Sequence, residues 1–244
     1  MLHKTITLSL LAFAAFAFTY CSPAAKEDKT TIDQSVQVVG AMKNVMWNGQ
    51  LAGTISLDTI ATKAHLFGLG PVEYLAGELM IVDGKSYKST VLTDSNMRIE
   101  ETFDAKAPFF VYANVANWKE SSLPDSIQSI KQLEAYLDQA TQTAPRPFAF
   151  RLTGTVGSAT IHIVNLPKGT KVSSPADAHQ GQQNYRLTNQ TAEIVGFFST
   201  AHKAIFTHHD TYLHMHLLTA DKNRMGHLDE VTFTPGTMKL YLPE

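Results

Sequence analysis

Three histidines near the C-terminus have the residue type and the spacing of a metal site. His214 and His216 stand two apart in residues 212–218, whose alternating pattern predicts a β-strand. Side chains two apart on a strand point to the same face, so both imidazoles should project together. His227 follows a turn-forming stretch, and Gly226 eases the return of the chain beside the pair. Three neutral imidazoles that leave positions open on one cation are typical of a catalytic zinc site, although another divalent metal also fits.

The histidine pattern also has simpler interpretations, which the residues alone leave open. A His-x-His pair on a strand is often a packing or surface feature. His208 and His209 lie in the preceding loop beside Asp210, and they are either further ligands or solvated loop residues. No other motif competes, because the sequence contains no Gly-x-Ser-x-Gly element, no Walker phosphate loop and no complete Gly-x-Gly-x-x-Gly.

Short strands are the elements that must position these side chains. Residues 79–82 are apolar and partly β-branched, and Asp83-Gly84 before a returning strand at 87–92 predicts a hairpin. The remaining predicted strands cover residues 109–112, 148–155, 160–166, 192–198, 231–233 and 238–242.

Helical patterns are few. Residues 126–140 have helically spaced apolar side chains, and Asp125 or Ser126 can cap their start. Many short strands with one or two helices predict an α+β fold with antiparallel or mixed sheets. Three other segments are predicted as a short helix (57–66), a helix or strand (36–51) and a loop (168–183).

The composition is that of an ordinary globular protein. The chain has 244 residues, of which 44% are hydrophobic and 17% charged, so it is long enough for one large domain or two closely packed ones. Its net charge of −2 argues against a nucleic-acid partner, because such a protein needs surplus cations to displace counterions from phosphate. The single cysteine excludes an internal disulfide framework and a zinc site built from several cysteines.

The N-terminus predicts an export signal that is separate from the fold. Residues 1–20 carry Lys4 and then an uncharged apolar run that is shorter than the roughly 20 residues of a membrane-spanning helix. Cys21 follows directly, as in a bacterial lipoprotein signal, where this cysteine carries the lipid. A plain secretory signal is the alternative. Either interpretation predicts an extracytoplasmic protein, which is anchored at a membrane through Cys21 or else secreted or periplasmic. The predicted organisation after the signal is a flexible tether at 21–34 and a functional unit at 35–244.

Taken together, the motifs resemble those of α-acetolactate decarboxylase. No single motif is specific to this family, but the combination and order of the motifs over roughly residues 45–243 are specific to it. The motifs that carry the resemblance are Gly77-Glu78-Leu79, Asp83-Gly84-Lys85 with Tyr87, Arg151 in an apolar strand, Val195-Gly196-Phe197, His214-x-His216 and Gly226-His227-Leu228-Asp229.

This resemblance implies an enzyme that converts 2-acetolactate to acetoin and carbon dioxide through a metal-stabilised enediolate. It implies a zinc ion held by His214, His216 and His227. It also implies two catalytic residues: Glu78 as proton donor, directly or through water, and Arg151 as the group that holds the departing carboxylate or steadies the enediolate. The implied fold has two closely packed α+β subdomains, and the family commonly forms homodimers.

Each of these assignments has an alternative. Glu78 could cap a turn or pair with a lysine, and Arg151 could be a solvent-facing strand residue. Asp229 and Glu230 either support His227 or are surface charges. The tail after His227 is shorter than in the family, which leaves open a non-catalytic protein that binds metal or a small acid. A zinc hydrolase on the same histidines is a further alternative, but Glu78 and Arg151 favour the decarboxylase over both.

Overall fold

The computed structural model describes Met1 and residues 34–244. The predicted export signal, Cys21 and all but the last residue of the predicted tether therefore lie outside the described residues. The compact unit that carries the fold is Ile32–Glu244. Within the described part of the chain, no helix is long and apolar enough to cross a membrane.

The described residues contain fourteen strands and three α-helices. In chain order they are β1 (Gln37–Gly40), α1 (Met42–Asn48), β2 (Ile55–Ser56), β3 (Leu66–Pro71), β4 (Glu78–Val82), β5 (Lys85–Val91), β6 (Met97–Glu101), β7 (Lys106–Ala107), β8 (Phe109–Asn114), β9 (Trp118–Ser122), α2 (Ile130–Ala140), β10 (Phe148–Ile163), α3 (Pro175–Ala178), β11 (Gln183–Phe198), β12 (Leu213–Thr219), β13 (Met225–Phe233) and β14 (Lys239–Pro243).

The strands form two six-stranded antiparallel sheets and a small two-stranded one. The first sheet has the order β1-β8-β3-β4-β5-β6, and the small sheet pairs β2 with β7. The second has the order β11-β12-β13-β10-β14-β9, and its long strands β10 and β11 also pair with each other. The strands β10, β11, β12 and β13 therefore form a closed ring of paired strands around an apolar interior. This interior includes Phe150, Leu152, Ile161, Ile194 and Leu217.

A shared apolar cluster packs the two large sheets together. Phe67, Met80 and Val111 come from the first sheet, and Val195 and Phe197 come from the second. Burial of each such side chain stabilises the fold by roughly 1.5–3 kcal/mol. The packing sets one end of β4 against β10, β12 and β13, which is where the polar residues of the site lie.

The structure confirms the predicted α+β fold, with sheets that are antiparallel throughout. The predicted hairpin is present between β4 and β5, and both turn residues, Asp83 and Gly84, have the positive φ that such a tight turn requires. Residues 36–51, which fitted a helix or a strand, form both in succession as β1 and α1.

Several boundaries differ from the sequence predictions; β11 and β13, for example, begin earlier than the strands predicted at 192–198 and 231–233. Residues 57–66 contain a 3-10 turn at Leu57–Thr59 and an irregular loop that leads into β3, and their apolar side chains Leu57, Ile60 and Leu66 are buried in one cluster. The predicted strands at 148–155 and 160–166 form one continuous strand, β10 (Phe148–Ile163), because the residues between them also pair with β11. Helix α2 begins at Ile130 because the Ser129 side chain, not Asp125 or Ser126, accepts the capping hydrogen bond from the Gln132 amide.

Candidate metal centre

The structure brings the three predicted imidazoles together on neighbouring strands. His216 on β12 lies directly opposite His227 on β13, and His214 is two residues away on the same face. The ring centroids are 5.1–5.4 Å apart, and one ligand nitrogen from each ring lies within 4.8 Å of the others. Two ligands of one zinc ion are at most about 4.2 Å apart, so small side-chain rotations suffice to bring all three nitrogens to one cation.

The surroundings of these histidines keep them neutral and leave a nitrogen free. Burial lowers the pKa of His214 and His227 well below 6.5 and that of His216 to about 3, and the neighbouring imidazoles add to the effect. Nε2 of His216 is buried and has no hydrogen-bond partner among the described residues. A buried polar atom without a partner is costly unless something occupies its lone pair. The donor set therefore fits a divalent cation that accepts imidazole ligands.

Glu78 lies in the same hollow, at the start of β4. Its side chain is buried, one oxygen accepts a hydrogen bond from the Val164 amide at 3.2 Å, and the other lies 3.6 Å from Nε2 of His216. Burial raises the pKa of Glu78 well above 4.5, and the negative charge of Asp229 adds to this, while the Val164 hydrogen bond opposes it. A cation bound by the histidines would also oppose this increase in the pKa of Glu78.

Asp229 and His162 form a pair that the motifs did not reveal. Nδ1 of His162 lies 2.8 Å from both carboxylate oxygens of Asp229, and Nε2 lies 3.9 Å from Glu78. Asp229 is 3.9 Å from Nε2 of His227, so its close partner is His162, which neither of the two alternatives for Asp229 had included. Glu230 accepts a hydrogen bond from Thr160 at the exposed surface and does not join the hollow.

His162 could not be found by local spacing. It lies on β10 and reaches the site because β10 pairs with β13 in a register that sets His162 opposite His227. The only signal in the sequence was a histidine in a predicted strand. Of the two loop histidines, His208 lies beside His227 with ring centroids 4.8 Å apart, whereas His209 is exposed.

The hollow is small and has an apolar cover. Its polar wall contains Glu78 and five histidines, and Met42, Met46, Leu75 and Phe109 lie over it. The free volume is about 30 Å³, which is close to that of one water molecule. Helix α1 is held over the site by backbone hydrogen bonds from Met42 and Lys43 to the loop that precedes β12.

Arg151 is not among the residues that the fold brings to this hollow. Its guanidinium bonds the Glu193 carboxylate at 2.6 and 2.8 Å and lies against the rings of Trp118 and Tyr241. The guanidinium also lies over the ring of Phe67 on β3. Glu78 pairs with Pro71, which is four residues further along the same strand. Four strand residues span roughly 13 Å, so Arg151 and Glu78 lie near different ends of β3. The expectation that Arg151 and Glu78 face one hollow is therefore corrected: partners on β9, β11 and β14 fix the guanidinium elsewhere.

Replacing Arg151 with Met should lower stability but leave metal binding unchanged. The change removes a partly exposed ion pair and the contacts with three aromatic rings, which together should cost about 1–2 kcal/mol. Glu193 remains partly exposed, so water can solvate it. Denaturant unfolding and metal analysis test this; a variant that unfolds like the wild type but loses its metal would mean that Arg151 acts on the site after all.

Gly226 is required by the close approach of β13 to β10. A Cβ atom at this position would overlap the backbone carbonyl oxygen of His162, so only glycine lets the two strands pair beside His227. Gly157 on β10 offers a comparison, because a Cβ atom there would meet its nearest neighbour, Thr234, at an ordinary 3.4 Å.

Gly226→Ala is therefore expected to disturb both histidines. We expect a loss of about 1–3 kcal/mol in the free energy of unfolding and at least tenfold weaker metal binding, since His162 and His227 must move apart. The matched control, Gly157→Ala, should change neither by a comparable amount. Thermal unfolding and a metal titration of both variants measure this, and equal effects of the two substitutions would contradict it.

Fold and site together define a β-rich α+β protein with a buried cluster of histidines suited to a metal ion. A family model described as alpha-acetolactate decarboxylase matches residues 39–242. The chain belongs to the alpha-acetolactate decarboxylase family.

Solved structures agree with this at the level of the fold. The crystal structure of alpha-acetolactate decarboxylase from Bacillus subtilis strain 168 is 19% identical, with a TM-score of 0.71 over 86% of this chain and 85% of that one. A Staphylococcus aureus protein of unknown function, described as similar to alpha-acetolactate decarboxylase, is 15% identical, with a TM-score of 0.68 over 85% of this chain and 84% of its own. No curated protein sequence matched the chain.

Proposed function

We propose that this protein decarboxylates 2-acetolactate to acetoin and carbon dioxide with a divalent metal, zinc in the first instance, on His214, His216 and His227. The observation that carries the proposal is the meeting of three buried, neutral imidazoles with Glu78, in a chain that matches the family over residues 39–242. When bound, the cation would supply Lewis-acid stabilisation of the charge that develops as carbon dioxide leaves.

The three histidines would hold the cation without neutralising its charge. Because burial keeps their pKa values below 6.5, all three rings present lone pairs at neutral pH, and none adds a negative charge. Metal binding therefore requires no loss of protons from these rings at that pH.

Glu78 holds the proton that replaces the departing carboxyl group. Burial favours its protonated form against the opposing effect of a bound cation, and the Val164 amide fixes the carboxyl group beside the histidines. Once carbon dioxide has left, delivery of this proton to one face of the enediolate, at the carbon that carried the carboxylate, gives acetoin.

The apolar cover excludes water from the reacting centre and must also admit the substrate. A free volume of about 30 Å³ is too small for 2-acetolactate, so the side chains over the hollow must move. Met42 and Met46 are suited to this because their unbranched side chains rotate easily. Water exclusion then strengthens the electrostatic interactions inside the site.

The test is an acetoin assay with metal-loaded protein. Acetoin should form from 2-acetolactate well above the spontaneous rate, and removal of the metal with a chelator should return the rate to background. Protein with bound metal that produces only the spontaneous amount would refute the activity.

A second candidate is a protein that binds metal or a small acid without turnover. Two observations favour it: the small free volume, and the lack of lysine and arginine among the described residues that line the hollow. The same assay discriminates, because a binding protein would retain metal and form no acetoin.

We further propose that the protein is exported and attached to a membrane through a lipid on Cys21. The support is the uncharged apolar segment that ends directly before this cysteine. Mass spectrometry of the mature N-terminus would give the mass of a lipid-modified Cys21 if the proposal holds, and an unmodified residue after cleavage if it does not.

A further inference from the structure

His162 has the surroundings of a functional side chain although no motif contains it. It lies near the end of β10, directly opposite His227, and the two rings are 4.7 Å apart. The residue is 5% exposed and forms part of the polar wall of the hollow.

Asp229 fixes the direction and the tautomer of this ring. A carboxylate can only accept, so Nδ1 of His162, at 2.8 Å from both oxygens, must carry the hydrogen. On another side, His179 approaches edge-on with ring centroids 6.1 Å apart, and His179 is itself held by a hydrogen bond from Nδ1 to the Pro175 carbonyl at 2.6 Å. The ring of His162 is therefore held by contacts on both sides.

The other nitrogen of His162 faces the hollow without a partner. Nε2 lies 3.9 Å from the nearer oxygen of Glu78, which is too long for a hydrogen bond. Among the described residues no other group bonds Nε2. In the neutral form of the ring, the single hydrogen lies on Nδ1, and Nε2 then offers a lone pair beside Glu78 and His227.

The hydroxyl group of a bound substrate would be a suitable partner for this lone pair. The substrate of the proposed reaction carries a hydroxyl on the carbon next to its carboxylate, and a hydroxyl hydrogen donates to a neutral imidazole nitrogen. No arginine or lysine lines the described hollow to compete for this contact.

We propose that His162 is a substrate-binding residue that accepts a hydrogen bond from the hydroxyl group of a small 2-hydroxy acid, and that Asp229 is its positioning residue. This inference rests on the proposed function of the hollow. It assigns to His162 the contact with substrate that the sequence suggested for Arg151, but through a hydroxyl group and not a carboxylate.

Two amide substitutions at His162 distinguish the role of Nε2 from the role of Nδ1. His162→Gln places an amide near the position of Nε2 and gives up the contact with Asp229, whereas His162→Asn retains a donor near Nδ1 and removes the group that faces the hollow. The probe is 2-hydroxyisobutyrate, which has the hydroxy acid but no ketone, so it cannot lose carbon dioxide by this route. Isobutyrate, which lacks the hydroxyl, is its control.

Calorimetric titration of zinc-loaded protein measures the binding. We expect His162→Asn to weaken 2-hydroxyisobutyrate about tenfold, as for loss of one hydrogen bond, and to leave isobutyrate unchanged. His162→Gln should stay within about threefold of the wild type, and Asp229→Asn should fall between the two. In acetoin formation the Asn variant should raise KM more than it lowers kcat.

Other outcomes would overturn the assignment. If His162→Asn binds both acids like the wild type, His162 does not contact the hydroxyl group. If both His162 variants lose zinc, or lose thermal stability to the same extent, the histidine serves the metal or the fold. If the wild type forms no acetoin but its preference for the hydroxy acid depends on His162, the contact stands and the decarboxylase proposal fails, so the two are distinguishable.

Discussion

His216→Ala is expected to abolish stable metal binding and, with it, acetoin formation. His216 is fully buried beside the other two imidazoles and Glu78, and an alanine side chain offers no nitrogen in its place. Loss of one of three ligands should lower affinity by more than the roughly 10–100-fold that residues around a metal site contribute. Metal analysis after dialysis against micromolar zinc, together with the acetoin assay, measures both effects.

Thermal unfolding gives an independent reading of the same variant. At a zinc concentration 100-fold above Kd, the wild type should gain about 2.7 kcal/mol of stability, and His216→Ala should gain almost none. His209→Ala is the matched control, because this histidine is exposed in the loop before β12 and should keep the metal, the stabilisation and the activity. Retention of full metal content by His216→Ala would remove the basis of the site.

Glu78→Gln is expected to retain the metal and lose 10²- to 10⁴-fold in kcat. The amide has nearly the same shape and can still accept the hydrogen bond from Val164, but it cannot release a proton to the substrate. Metal content should equal that of the wild type, which separates this variant from His216→Ala. Wild-type turnover in Glu78→Gln would show that the proton comes from elsewhere.

The same substitution has a pH-dependent effect on stability in the metal-free protein. Burial raises the pKa of Glu78 in the folded state, so the folded protein binds this proton more tightly than the unfolded chain. Wild-type stability should therefore fall as pH rises from about 4.5 through the raised pKa, relative to Glu78→Gln. Denaturant unfolding of both proteins across this range tests the sign, and parallel curves would contradict the buried, protonated carboxyl.

Patterns within short stretches of sequence predicted the part of the site that is formed by residues close together in the chain. His214 and His216 share a face because strand residues alternate, and His227 joins them across one short hairpin between β12 and β13. The β4–β5 hairpin was predictable for a similar reason, since Asp83-Gly84 matches the backbone of a tight turn. Glu78 was assigned to the site only by the family resemblance, because nothing in its neighbourhood along the chain specifies a distant partner.

Residues that meet across distant strands could not be predicted in this way. Asp229 and His162 are 67 positions apart, and their contact depends on the register of β10 against β13. Arg151 was correctly placed in a strand, but its direction depends on Glu193, Trp118 and Tyr241, three residues on three other strands. A one-strand pattern contains no information about these neighbours.

Stepwise zinc titration of the metal-free protein, with acetoin production followed at every addition, is the decisive measurement. A catalytic centre made by His214, His216 and His227 predicts a rate that climbs in proportion to added zinc, levels off at one equivalent per chain, and never climbs in His216→Ala. Turnover that ignores the metal, or a saturated protein that releases no more acetoin than buffer alone, would contradict it.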